Sequence, residues 1–335
     1  MERRKVQQTG SSTFTISLPK GWACEHGIEP GMQLALRPHD DGSLVIGTGD
    51  RHEGTPTVDL TGASSDTVRR TVEACYRLGY DRVSLVATDG FDDEPRRAVS
   101  RAVNGLSGFE VVDENEGRVT LGCLLATSEV SIDRSVVQLQ YVALSTLGDA
   151  VSALTADDRD LARHVADRSE DADRRAAVVG RYFERTLRDH ETLDELGLTR
   201  STMVDYHVAA DQLGSVAAAA EALTEPVQRD VDAPDEWTET TKTLVHRIRS
   251  LVEDAVEVLF DGDDPSVAHD VRARAADVAA DVDAFDTQLY AAADPAAPAF
   301  GIVTDGLATA TRQADGLATR AAMASLRRLV SRNGE

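Results

Sequence analysis

The sequence has 335 residues, 41% of them hydrophobic, which is enough for a sizeable core and favours two or three domains over one. Its 58 acidic and 35 basic residues give a net charge of -23, and lysine occurs only at Lys5, Lys20 and Lys242. This arginine-rich, lysine-poor, acidic balance reads as a halophile's solvated surface. No stretch approaches the ~18 apolar residues of a membrane span, and MERRKV lacks the apolar region of a secretory signal, so a cytoplasmic protein without membrane insertion is expected.

Residues 1–49 read as strands. Arg4-Lys5-Val6-Gln7 leads into a turn at Thr9 to Ser12, and Thr13 to Leu18 alternates with period two, placing Phe14, Ile16 and Leu18 on one face. Pro19 ends that strand, Gly21 to His26 fits a turn and a half of helix, and Gly27 supplies a left-handed stop. Gln33 to Arg37 and Ser43 to Ile46 read as a hairpin joined by Asp41-Gly42. So short a segment, with few large apolar residues, calls for a second copy.

Thr48 to Pro56 reads as a linker, rich in Gly, Asp and Thr. Residues 57–128 then read as a small α/β unit. Its elements are a strand at Val58 to Leu60, a helix over Ser65 to Leu78, a buried strand at Val83 to Ala87, a helix over Pro95 to Leu106, and a strand pair at Glu110 to Val112 and Arg118 to Leu121.

From Ile132 onward the pattern is helical, with breaks at Thr155 to Asp157, Leu196-Gly197, Asp232 to Pro234, Asp261 to Pro265 and Asp294 to Pro298. These delimit six helices, or two three-helix bundles over 132–232 and 233–332. Thr199 and Asp264-Pro265 are the helix-start signals. Asp167, Asp171 and Asp173 recur as Asp277, Asp281 and Asp283, 110 residues on, in the second helix of each bundle.

Chemistry-bearing motifs are sparse. Cys24, Cys75 and Cys123 lack the paired spacing of a zinc site, the eight histidines form no HxxxH pair, and no Ser/His/Asp or Cys/His set assembles, so no enzyme is expected. The charge is uneven instead. Arg3, Arg4, Lys5 and Lys20 face one acid, Glu2, in the first twenty residues, and with Arg37 they form a candidate polyanion edge. GSSTFTISLPK lacks the spacing of a phosphate-binding loop, and Lys20 is read as following a strand rather than opening a helix.

Arg4-Lys5-Val6-Gln7, Gly10, Ser17-Leu18-Pro19-Lys20, Trp22, Gly27-Ile28, Gly31 and Asp41 to Leu44 resemble the swapped-hairpin DNA-binding domain of the AbrB/MazE/SpoVT family. Met32 departs from it, standing where the family commonly has Asp. The helical part resembles PhoU, the phosphate-uptake regulator built from two repeated three-helix bundles, and the whole arrangement resembles archaeal PhoU-like proteins. The resemblance implies a multidomain α+β chain: a dimeric N-terminal swapped-hairpin β-barrel, a small α/β middle domain and a C-terminal all-α pair of three-helix bundles. It also implies a homodimer through the N-terminal domain, DNA as a partner of Arg3, Arg4, Lys5, Lys20 and Arg37, and a phosphate transporter or signalling protein as partner of the bundles. A dimeric adaptor that does not bind DNA is the alternative.

PhoU relatives commonly hold metal clusters through acids at i and i+4, a spacing that aims two carboxylates from one helix face. Asp167 with Asp171, and Asp277 with Asp281, keep it, although in so Asp-rich a chain such pairs also arise on solvated faces. Gly214, Ala218 and Arg312 stand where the family has acids, and an arginine repels a cation, so no cofactor is expected.

Overall fold

The computed structural model describes residues 3–38, 44–47, 55–262 and 264–332, with the side chains of Arg37 and His190 excepted. The chain divides into two compact units, residues 1–55 and 56–335.

In the first unit β1 (Gln7–Thr9) and β2 (Thr13–Thr15) pair antiparallel, Gln7 opposite Thr15. Gly10 at φ 73° makes the turn, a conformation that only glycine adopts without strain. The short helix α1 (Lys20–Glu25) follows, with Gly27 at φ 64° after it. β3 (Ala35–Pro38) and β4 (Leu44–Gly47) form a second antiparallel pair. In the single chain these are two separate two-stranded sheets. Two expectations are corrected. The alternating pattern sustains a strand only to Thr15, and Lys20 opens α1 instead of trailing a strand, because Pro19 takes the N-cap with its φ of -60°. The expected Asp41-Gly42 turn and residues 48–54 of the expected linker lie outside the described residues.

The second unit opens with β5 (Thr57–Asp59), α2 (Ser65–Arg77), β6 (Arg82–Val86), α3 (Asp93–Asn104), β7 (Phe109–Asn115) and β8 (Arg118–Cys123). The sheet order is β5-β6-β8-β7; β5 and β6 are parallel, and the other pairs antiparallel. Ser64 caps α2 by accepting the Thr67 amide, and the apolar faces of α2 and α3 bury Val68, Val72, Val99 and Val103 with Val83, Leu85, Phe109 and Leu121 of the sheet.

After a 3-10 turn at Thr127–Glu129 come α4 (Ile132–Ala156), α5 (Arg159–Arg188), α6 (His190–Leu196), α7 (Arg200–Ala222), α8 (Glu225–Gln228), α9 (Asp235–Asp261), α10 (Pro265–Ala291) and α11 (Ala297–Arg332). α4, α5 and α7 pack as one three-helix set and α9, α10 and α11 as a second; α7 also packs on α11, and α4 on α9. One continuous apolar core runs through all six long helices. Where one helix was expected up to Leu196, the chain breaks at Asp189, whose extended backbone lets its carboxylate cap the Glu191 amide and start α6.

Candidate functional sites

Arg3, Arg4 and Lys5 are exposed ahead of β1, and Lys20 is exposed as the first residue of α1. Because Gln7 pairs with Thr15, the segment carrying Arg3 to Lys5 and the segment running on to Lys20 leave the hairpin at the same end. Arg37 lies in β3. No described residue of this unit is buried, and Phe14 is 74%, Leu36 61% and Val6 63% exposed. Leu18, Trp22, Ile28 and Ile46 are half-buried, and an isolated two-stranded hairpin is at best marginally stable in water.

The acidic pairs lie on α5 and α10 but do not form a site. Asp171 accepts from Arg175 at 3.0 Å and is flanked by Arg174 at 3.5 Å, while Asp281 is paired with Arg247. Asp167 and Asp277 are exposed. A Cβ on Gly214 would stand 3.4 Å from the Ala176 Cβ, so this position faces α5; Ala218 and Arg312 are exposed. Among the described residues no three His, Cys, Asp or Glu side chains gather closely enough to hold a metal ion. Guanidiniums thus engage two of the four carboxylates, Asp171 and Asp281, and Gly214, Ala218 and Arg312 bring no side-chain oxygen beside them.

Two charged clusters escaped the sequence reading. On α5, Arg181 is buried at 1% exposure and donates to the carbonyls of Tyr76 and Tyr80, each at 2.9 Å, and to the Asp81 carboxylate at 3.2 Å. Its guanidinium carbon lies 5.0 Å from the Tyr76 ring centre and 5.7 Å from that of Phe109. Arg185 also pairs with Asp81, and Arg188 donates to the Leu78 carbonyl and lies 4.3 Å over the Tyr80 ring. Burial pushes the Tyr76 hydroxyl well above the usual phenol range, and it donates to the Ser107 carbonyl at 3.2 Å. The second cluster joins the three-helix sets: Asp205 of α7 is buried against Arg327 and, at 3.4 Å, Arg320 of α11.

The signal for the first cluster was present as Arg181, Arg185 and Arg188, spaced i, i+4 and i+7 along one helix face. Nothing comparable marked Asp205.

No family model matches the sequence, and no curated protein is detectably similar to it. Among solved structures, the chain is similar to the crystal structure of the phosphate transport system regulatory protein PhoU from Streptococcus pneumoniae, at 16% identity, over 57% of this chain and 91% of that one, with a TM-score of 0.43. Among the described residues no helix is long and apolar enough to cross a membrane.

Proposed function

We propose that the chain is a dimeric regulatory protein rather than an enzyme. Its N-terminal unit, paired with that of a second copy as a swapped-hairpin barrel, binds DNA. The helical bundles relay phosphate status through a phosphate transporter or signalling protein, so that the whole acts as a cytoplasmic, PhoU-like phosphate-uptake regulator of a halophilic archaeon.

The observation that carries this reading is the N-terminal unit itself. Among its described residues no apolar side chain is fully buried, and the basic residues of its first twenty positions flank one hairpin end. A second copy supplies the missing apolar partner and duplicates Arg3, Arg4, Lys5, Lys20 and Arg37 on one platform. The PhoU half rests on the residues of resemblance in the helical region. No metal is assigned a role, and purified protein is expected to carry no stoichiometric iron or zinc by elemental analysis.

Capture of genomic fragments at native salt tests the DNA half. The wild-type protein should enrich phosphate-transport promoters, and a variant combining Arg3→Gln, Arg4→Gln, Lys5→Gln and Lys20→Gln should lose retention by about tenfold or more. Equal retention by both would overturn it. The second reading, a dimeric adaptor without DNA binding, draws on the net charge of -23 and on the ~3 Å Debye length at 1 M salt, which removes most of the electrostatic gain at phosphates. It predicts a dimer in sedimentation and no enrichment.

A further inference from the structure

We propose that Arg181, Arg185 and Asp81 form a conformational coupler that makes the α/β segment of residues 56–123 move with α5, so that a shift of α5 within its bundle is carried into β6 and β5. Arg181 is the largest fully buried side chain among the described residues, and it reaches across from one structural layer to the other. Its acceptors, the carbonyls of Tyr76 and Tyr80 and the carboxylate of Asp81, span the C-terminal end of α2, the turn after it and the residue just before β6. Three groups on three consecutive pieces of backbone fix position and rotation together.

The backbones also approach too closely for α5 to slide. Gly79 has φ 76°, and a Cβ there would stand 2.5 Å from the Arg185 Cγ and 2.8 Å from the Arg181 carbonyl oxygen. Ala177 of α5 belongs to the α/β core, and Arg77 meets Asp173 at 3.1 Å on the margin.

Beyond the contact the path is short. β6 begins at Arg82, next to Asp81; it pairs in parallel with β5, and the Ser84 amide donates to the Pro56 carbonyl at 2.8 Å. Pro56 is the first residue of this unit, the point at which the chain from the N-terminal unit enters.

The energetics favour a positioning role. Two guanidiniums share one carboxylate, and the Arg181 Nε is buried without a partner. Well-packed apolar side chains of similar volume often match or exceed the stability of a buried ionic group, so this cluster is better understood as fixing geometry. Burial of the Arg181 and Arg185 guanidiniums also weakens the screening by salt that surface pairs undergo, with Asp81 at the margin 35% exposed.

The test uses amide hydrogen exchange on the full chain. Arg181→Met keeps approximate volume without the charge, and Asp81→Asn keeps the carbonyl contacts while weakening the ion pair. Ala172→Gly loosens α5 nine residues before Arg181, on its side that packs into the bundle core. In the wild-type background Ala172→Gly should speed exchange in residues 76–86 by about tenfold, and in the Arg181→Met or Asp81→Asn background it should not. The wild-type protection of residues 76–86 should hold from low to multimolar KCl. An equal response to Ala172→Gly with and without the cluster overturns the coupling. If Arg181→Met does not fold, the Asp81→Asn background decides alone. DNA retention plays no part in this readout, so its loss or survival leaves the result standing.

Discussion

Asp205 shows how a single residue acquires its meaning from its neighbours. It is one of 58 acids, yet it is buried between α7 and α11, where Arg327 and Arg320 meet it. Asp205→Ala leaves the mostly buried Arg320 guanidinium without its partner, while Arg327, 38% exposed, can turn to water, and should cost about 1–3 kcal/mol, measured by urea unfolding. Replacing Asp205, Arg320 and Arg327 together by apolar residues should restore most of that loss. Gly306 marks the same seam, since a Cβ there would stand 2.7 Å from the Ala222 Cβ and 2.8 Å from the Ala219 carbonyl oxygen. Gly306→Ala should therefore force the helices apart at a cost of about 1–3 kcal/mol, seen as a lowered thermal midpoint. Neither residue could be singled out in the sequence. Which aspartate becomes buried depends on which two helix faces meet, and composition carries no record of that.

At the scale of elements, local signals were legible wherever local physics decides. The strands and helices of residues 57–123 fall within a few residues of their expected positions, because period-two and helical patterns there coincide with caps such as Ser64. Thr199 accepts the Thr202 amide at 3.1 Å, and Asp264 accepts the Ser266 amide at 2.8 Å ahead of Pro265. The break at Asp189 was missed because helical periodicity continues across it, although an Asp two residues before Glu191 is itself a cap pattern. In the N-terminal unit the alternation to Leu18 outran the strand, because the ladder stops at the Gln7–Thr15 pair and Pro19 turns the chain into α1.

The clustering of Arg3, Arg4, Lys5 and Lys20 was legible in the charge pattern, but the surroundings of the acidic pairs were only half legible. The missing acids at Gly214 and Ala218 were visible in the sequence, whereas the arginines on Asp171 and Asp281 needed the fold. The caps also predict a pH response. Hydrogen bonds from Ser266 hold the Asp264 carboxyl below its ordinary 3.8, and bonds from Arg69 and Arg70 do the same for Asp66. A depressed folded-state value means that the stabilisation is complete above 3.8 and is lost as pH falls through the lower folded value. Acid titration followed by circular dichroism should place the loss of helix below that point, and Asp264→Asn should remove its share of the pH dependence.

Across the whole molecule the net charge of -23 sets the response to solvent. Self-repulsion opposes the compact state, and salt screens it, so the thermal midpoint should rise as KCl is increased from low to multimolar concentration. The buried Arg181 and Asp205 clusters should contribute little to that slope, and a charge-reversed surface variant should flatten it. The apolar core, by contrast, ignores the boundary that the repeated aspartates suggest. It passes from α4, α5 and α7 into α9, α10 and α11 without interruption, through the contact of α7 with α11. The chain therefore cannot be cut at Asp232 to Pro234 into two working halves. Each fragment would bare the face that the other had covered, and the pieces would recombine or precipitate instead of standing as separate proteins.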